Sequence, residues 1–177
     1  GTSFDGGCRE PTVMWWPGTI PAGTVCNTPA MTIDILPTIA HLIEAKLPDH
    51  KIDGRNIWPL IEGRPGGHSP QEAYYFYWGD ELQAVRMGRW KLHFPHRYRT
   101  LGNRKGGTDG KPEPYEQAEV GLSLFDLEND MSETTDVKDQ HPDVVASIKK
   151  LADRMREDLG DSARKVTGSG RRAPGRL

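Results

Sequence analysis

The densest run of residues suited to chemistry is Lys91-Leu92-His93-Phe94, with His96, Arg97 and Arg99 close behind. A histidine can donate a hydrogen bond and titrates near neutrality, and cations beside it suit an anionic ligand. Two plainer readings stand next to that one: His93 as a half-exposed strand residue on the polar face opposite Leu92, and the loop cations as solubilising charge. Cys8 and Cys26 flank the first apolar block. A bridge between them needs Cα atoms within roughly 4.4–6.8 Å, which sequence does not fix, so a bridge and two free thiols both stay open. His41, His50, His68 and His141 show no metal-ligand spacing and read as surface residues. Arg9, beside Gly6-Gly7, is expected to fix that turn through hydrogen bonds.

The elements that would position these residues can be read from periodicity and breakers. The Gly-rich opening Gly1 to Pro11 runs into Thr12-Val13-Met14-Trp15-Trp16, an apolar block closed by Pro17-Gly18 that predicts a short buried strand. Thr32 can cap a helix with Asp34 in its first turn, Pro37 near its start, and Ile35, Ile39, Leu42 and Ile43 on one face. A turn over Asp53 to Gly63 holds a short helical piece at Pro59-Leu60-Ile61. Three strand candidates follow at 73–78, 82–86 and 90–94, joined by hairpin-like turns at Gly79-Asp80 and Met87-Gly88-Arg89. Alternation puts Leu82, Ala84 and Arg86 on one face, and Trp90, Leu92 and Phe94 likewise. Pro95 to Val120 has no period and reads as a long loop. Gly121 to Leu127 is a fourth strand. Pro142 opens a long helix with an apolar stripe of Val144, Ile148, Leu151, Met155 and Leu159, ended by Gly160.

Four stretches in order carry a family resemblance. The run Gly1-Thr2-Ser3-Phe4-Asp5-Gly6-Gly7-Cys8-Arg9-Glu10-Pro11 resembles the segment leading to a strand and Trp-Pro-Gly in the formylglycine-dependent (type I) sulfatases, the arylsulfatase A and N-acetylgalactosamine-6-sulfatase branch in particular. Thr32-Ile33-Asp34-Ile35-Leu36-Pro37-Thr38 is similar to a helix start of that family, and Asp53-Gly54-Arg55-Asn56-Ile57-Trp58-Pro59-Leu60-Ile61 to one of its turns. Leu124-Phe125-Asp126-Leu127-Glu128-Asn129-Asp130-Met131-Ser132-Glu133-Thr134 is similar to its closing motif, with Met131 where proline is usual.

The resemblance implies the C-terminal portion of an α/β protein of the alkaline-phosphatase-like sulfatase superfamily. Residues 1–63 would end the large catalytic domain, contributing an edge strand or two and a helix of its sheet. Residues 64–160 would form a C-terminal subdomain, a four-stranded antiparallel sheet packed on a long helix, and 161–177 a disordered basic tail. The family's nucleophile, a formylglycine made from Cys or Ser in a Cys/Ser-x-Pro-Ser-Arg motif, has no counterpart here, because Cys8 is followed by Arg-Glu-Pro and Cys26 by Asn-Thr-Pro. The calcium ligands are likewise expected outside this chain, and so is the sulfate-binding lysine, which the family places one residue before Gly1. No catalytic or metal-binding residue is therefore assigned within the chain. Lys91-Leu92-His93-Phe94 resembles a strand end whose histidine lies at the pocket mouth, which makes His93 the candidate substrate-binding residue.

The implied parent is a sulfuric ester hydrolase acting on a sulfated small molecule or glycan, dependent on an N-terminal sulfatase portion and on calcium, and periplasmic, secreted or lysosome-like. Two alternatives remain: a superfamily phosphodiesterase or phosphonate monoester hydrolase, and a free-standing, non-catalytic binding module. Composition argues against other classes. No apolar run approaches the roughly 20 residues of a membrane span. From Arg164 onward there are five basic residues and no acid, but without interleaved aromatics this reads as a solvated end, not a nucleic-acid arm.

Overall fold

A computed structural model describes residues 2–173. The chain divides into two compact units, one of Gly1–Glu10 with Ala73–Leu177 and one of Pro11–Glu72.

The first unit is built on β1 (Tyr74–Trp78), β2 (Glu81–Met87), β3 (Trp90–His93) and β6 (Ser123–Asp126), in the sheet order β1-β2-β3-β6. Every pairing is antiparallel, as the meander pattern predicts. Gly79 and Gly88 take the left-handed conformation that the two tight connections require. One face carries the core, where Val85, Leu92 and Leu124 are fully buried against Ile148, Leu151 and Ala152 of α4 (Pro142–Leu159). Each such aliphatic side chain contributes about 1.5–3 kcal/mol by leaving water.

The expected face of Leu82, Ala84 and Arg86 does not survive intact. Leu82 pairs with Tyr77 and Ala84 with Phe76, which leaves Gln83 as an extra residue. This bulge shifts the alternation, so Leu82 and Val85 both enter the core while Ala84 and Arg86 turn to the opposite face. The buried stripe of α4 is also rotated from the expected one, running through Val145, Ile148, Leu151, Ala152 and Arg156. Arg156 can be buried because its guanidinium lies 4.4 Å from the Phe94 ring and pairs with Asp161 at 2.8 Å.

Two further expectations are corrected. Within the presumed loop, β4 (His96–Thr100) and β5 (Glu116–Val120) form a hairpin with five paired positions. Its side chains are mostly exposed, so no apolar alternation marks it. The presumed tail is structured at its start: β7 (Gly160–Asp161) pairs with β8 (Val166–Thr167) around a 3-10 turn at Ser162–Arg164. Polar tethers replace the missing apolar residues. The Tyr77 hydroxyl donates to the Gly160 carbonyl at 2.9 Å, the Ser162 amide to Asp80 at 2.8 Å, and Arg171 pairs with Asp80 at 2.8 Å. The remainder of that expectation, 174–177, lies outside the described residues.

The second unit holds a 3-10 turn (Thr32–Asp34) leading directly into α2 (Ile35–Leu42), and α3 (Trp58–Ile61). Thr32 does not cap; Asp34 organises the unit instead. Its fully buried carboxylate accepts from the Met31 amide at 3.0 Å, the Arg55 amide at 2.8 Å and the Gln71 side chain at 2.9 Å. Thr38 ties the same turn to α3 by donating to the Asp34 carbonyl and accepting from the Ile57 amide. Gly54 is required where it passes Ile33, because a Cβ would collide with the Ile33 carbonyl oxygen. No strand forms among residues 11–72, contrary to the expected strand at Thr12–Trp16. A strand needs a partner for its backbone groups, and Val13 and Trp15 are instead 93% and 85% exposed.

Candidate functional site

The second face of the small sheet is where charged residues gather. Alternation puts Arg86 of β2, Lys91 and His93 of β3, and Phe125 of β6 on this face, since Lys91 pairs with both Arg86 and Phe125. Two irregular segments cover it. One is the opening turn, with the single helical turn α1 (Asp5–Cys8), and the other is the loop after β6 that carries Glu133.

The Lys91 ammonium is inaccessible to solvent and sits between two carboxylates, 2.8 Å from Asp5 Oδ1 and 2.9 Å from Glu133 Oε1. It also lies 4.5 Å from the Phe76 ring centre. The other oxygen of Glu133 accepts the Asp5 amide at 2.6 Å, and His93 Nε2 donates to Glu133 Oε1 at 2.9 Å. Arg86 approaches the second Asp5 oxygen at 3.6 Å, and that oxygen has no hydrogen bond. Asp5 and Glu133 together bring two negative charges to the buried Lys91, so the cluster carries no unpaired buried cation.

The opening turn is fastened residue by residue. Ser3 donates to the Gln83 side chain at 2.7 Å. Phe4 stacks on His93 with ring centres 4.5 Å apart, and Asp5 makes the contacts above. Gly7 must lack a side chain, since a Cβ there would press on Thr2 backbone and hydroxyl oxygens at 2.8 Å. The Gly-Gly turn closes through main-chain bonds from Gly7 to Phe4 and from Arg9 to Asp5. Arg9 therefore contributes its amide and not, as expected, its guanidinium, which is exposed.

His93 is completely buried, which corrects the reading of a half-exposed strand residue. It stacks on Phe4 and on His96, and meets Phe125 edge-on. Burial lowers its pKa against the opposing pull of the Glu133 hydrogen bond, so the ring is neutral near pH 7. Because Nε2 donates to a carboxylate, Nδ1 carries the lone pair, and it has no partner among the described residues. His96 is buried too, and burial lowers its pKa; its Nδ1 donates to the Phe94 carbonyl at 2.7 Å while Nε2 is unpartnered. Burial raises the pKa of Glu133, but the bond from His93, the charge of Lys91 and the Asp5 amide together hold it below the ordinary range. The flanking cations do not join this group: Arg97 pairs with Glu119 across the exposed hairpin at 2.8 Å and Arg99 is exposed.

A cleft of about 640 Å³ opens beside the cluster, lined by Phe4, Gly6, Arg9, Tyr98, Met131 and Glu133. Cys8 and Cys26 are both free thiols, and burial raises the pKa of Cys8. Among the described residues no three His, Cys, Asp or Glu side chains gather to hold a metal ion.

The sequence pattern singles out His93 but not its partners. Lys91 was visible only as part of a motif, and Asp5 and Glu133 only as members of the opening and closing motifs. The available signal was the Lys-x-His spacing, which puts two titratable groups on one face of a strand that otherwise belongs to the sheet interior.

The fold, a four-stranded antiparallel sheet with a long helix on one face and a charged cluster on the other, is that of a sulfatase C-terminal region. Two family descriptions match, "C-terminal region of aryl-sulfatase" over residues 69–171 and "N-sulphoglucosamine sulphohydrolase, C-terminal" over residues 2–100. The chain belongs to the sulfatase family. It is 36% identical over 165 residues to arylsulfatase A of Bos taurus, covering 85% of this chain and 31% of that protein. N-acetylgalactosamine-6-sulfatase of Canis lupus familiaris is 39% identical over 94 residues, 52% of this chain and 17% of the relative. In fold the chain is similar to the PsFucS1 sulfatase from Pseudoalteromonas sp., with a TM-score of 0.57 at 20% identity over 81% of this chain and 29% of that one. The chain thus spans about a third or less of the length of the relatives it matches.

Proposed function

We propose that the protein hydrolyses sulfate esters of a small molecule or glycan, and that this chain supplies the C-terminal part of the enzyme. In this reading residues 1–63 complete the catalytic domain and 64–160 form the C-terminal subdomain. An N-terminal sulfatase portion brings the formylglycine and the calcium ion, and the enzyme works in a periplasmic, secreted or lysosome-like setting. The supporting observation is that the two family matches together run in order from residue 2 to residue 171. They embrace the opening turn and the strand that meet at the Lys91 cluster.

His93 is retained as the substrate-binding residue because its Nδ1, like the second Asp5 oxygen, has no hydrogen-bond partner among the described residues and, unlike that carboxylate oxygen, can donate to an anion once protonated. To donate to a sulfate oxygen, that nitrogen must carry a proton, and Glu133 on the opposite nitrogen is the group that would support the imidazolium.

The test is sulfate release from an aryl sulfate, with calcium present, by the full-length gene product beside the 177-residue chain. Activity in the longer protein alone is expected. Activity in the short chain, or in neither, overturns the proposal. In the active protein His93→Ala is expected to raise KM about tenfold, and an unchanged KM removes His93 from the substrate site.

A further inference from the structure

Glu133 stands out among the buried residues, because it holds the left-handed backbone conformation at φ 55° although it is not glycine. A non-glycine residue keeps such a conformation only where its surroundings over-determine it. Those surroundings are visible. The Asp130 carboxylate accepts the Thr134 and Thr135 amides at 2.8 Å each and the Thr134 hydroxyl at 3.0 Å, winding the loop so that Glu133 points under the sheet. There its two oxygens divide their work: Oε1 meets Lys91 and His93, while Oε2 takes the amide of Asp5. Asp5 returns to Lys91 through its own carboxylate. A closed ring of charge and hydrogen bonds therefore joins three segments far apart in sequence: the opening turn, β3 and the loop after β6.

Covering an apolar patch would not need this arrangement. A buried ion network is a poor way to gain stability compared with apolar packing, but it fixes geometry, because its members fit one register only. The neighbours of the ring add to that fixing and do not replace it: Ser3 bonds Gln83, and Phe4 lies on His93.

We propose that Glu133 is a positioning residue: through Asp5 and Lys91 it sets where the opening turn lies, and thereby places the wall of the adjacent cleft that Phe4, Gly6 and Arg9 form. The catalytic consequence rests on the sulfatase reading above; the positioning itself does not. Glu133 touches no reacting atom in this scheme. It acts by holding the segment that brings Phe4 and Arg9 to the cleft.

The experiment uses the full-length protein and reads amide hydrogen exchange peptide by peptide, with steady-state sulfate release alongside. In Glu133→Ala, exchange over residues 2–9 is expected to rise about tenfold or more while β2 and β3 keep their protection. Glu133→Gln retains an acceptor for the Asp5 amide and is expected to fall between wild type and Ala. In the same variants kcat is expected to drop about 10- to 100-fold, with a rise in KM no larger than that of His93→Ala. Unchanged exchange over residues 2–9, or a rise spread evenly over the whole sheet, overturns the proposal, the latter by showing an ordinary stability role. Should Glu133→Ala fail to fold, Lys91→Met alone and Asp5→Asn with Lys91→Met replace it. In both of these, exchange over residues 2–9 is expected to rise while β2 keeps its protection, since each breaks the ring; unchanged exchange there also overturns the proposal. Local exchange without any sulfatase activity in wild type would leave the positioning standing and remove the sulfatase reading instead.

Discussion

The two units of this chain handle their apolar residues in opposite ways. In the sheet unit, Leu82, Val85, Leu92, Leu124 and Ile148 are at most 2% exposed, and the helix stripe and sheet face close on one another. In the unit of residues 11–72, the apolar side chains of α2 face solvent: Ile35, Leu36, Ile39 and Ile43 are 44%, 55%, 50% and 67% exposed. Its interior is small, with Ala40, Ile57 and Leu60 gathered near the buried Asp34 and Thr38. A packed face and an unpacked one can thus come from equally good amphipathic patterns. Periodicity states which side chains would share a face; whether anything covers that face is a separate matter.

This asymmetry can be broken or sharpened by substitution. The largest effect is expected inside the sheet unit's charge cluster. Lys91→Ala leaves Glu133 without its cation and Asp5 with only the more distant Arg86, and should cost about 3–5 kcal/mol in urea unfolding. Ile148→Ala, which opens a cavity under the sheet, should cost about 3 kcal/mol in the same measurement. In the other unit Asp34→Ala strands several backbone and side-chain donors and should cost about 2 kcal/mol, read as faster hydrogen exchange confined to residues 31–71. At the small end, Ile39→Ser in the 177-residue chain should stay within about 0.5 kcal/mol of wild type, since half the side chain is already in water. A loss above 2 kcal/mol for Ile39→Ser would mean that α2 is covered and the asymmetry is false.

Acid provides a test confined to the sheet unit. His93 and His96 have pKa values lowered by burial, so the unfolded chain takes up their protons first as pH falls. Stability supplied by their neutral forms is complete above the ordinary histidine value of about 6.5 and declines below it. Glu133, also held low, adds a loss of the same sign as pH falls through the carboxylate range. Melting temperature should therefore drop from pH 7 to pH 5, and His93→Gln should flatten that slope. An unchanged slope would mean that His93 is not buried in its neutral form.

Much of the architecture was legible because local signals agreed. Gly79-Asp80 and Met87-Gly88-Arg89 marked both tight turns, and Pro142 and Gly160 bounded the long helix. Where the reading failed, the deciding interaction lay far away in sequence. The bulge at Gln83 is a matter of register with β1 and leaves no mark in the alternation of β2 itself. The hairpin of β4 and β5 is held by pairing between mostly exposed polar residues, so no hydrophobic period announces it. The start of the presumed tail is fastened by Tyr77, Asp80 and Arg156, from other parts of the chain.

The sequence by itself determined the family, through four motifs in order, together with the meander, the long helix and the placement of Lys91 and His93 on one strand face. Only the tertiary structure decided that this face is interior and that Asp5 and Glu133, 128 residues apart, both close on Lys91. The physical reason is that period and turn chemistry act over a few residues and are written locally. A buried charge is tolerable only beside its partners, and those partners are brought to it by the fold.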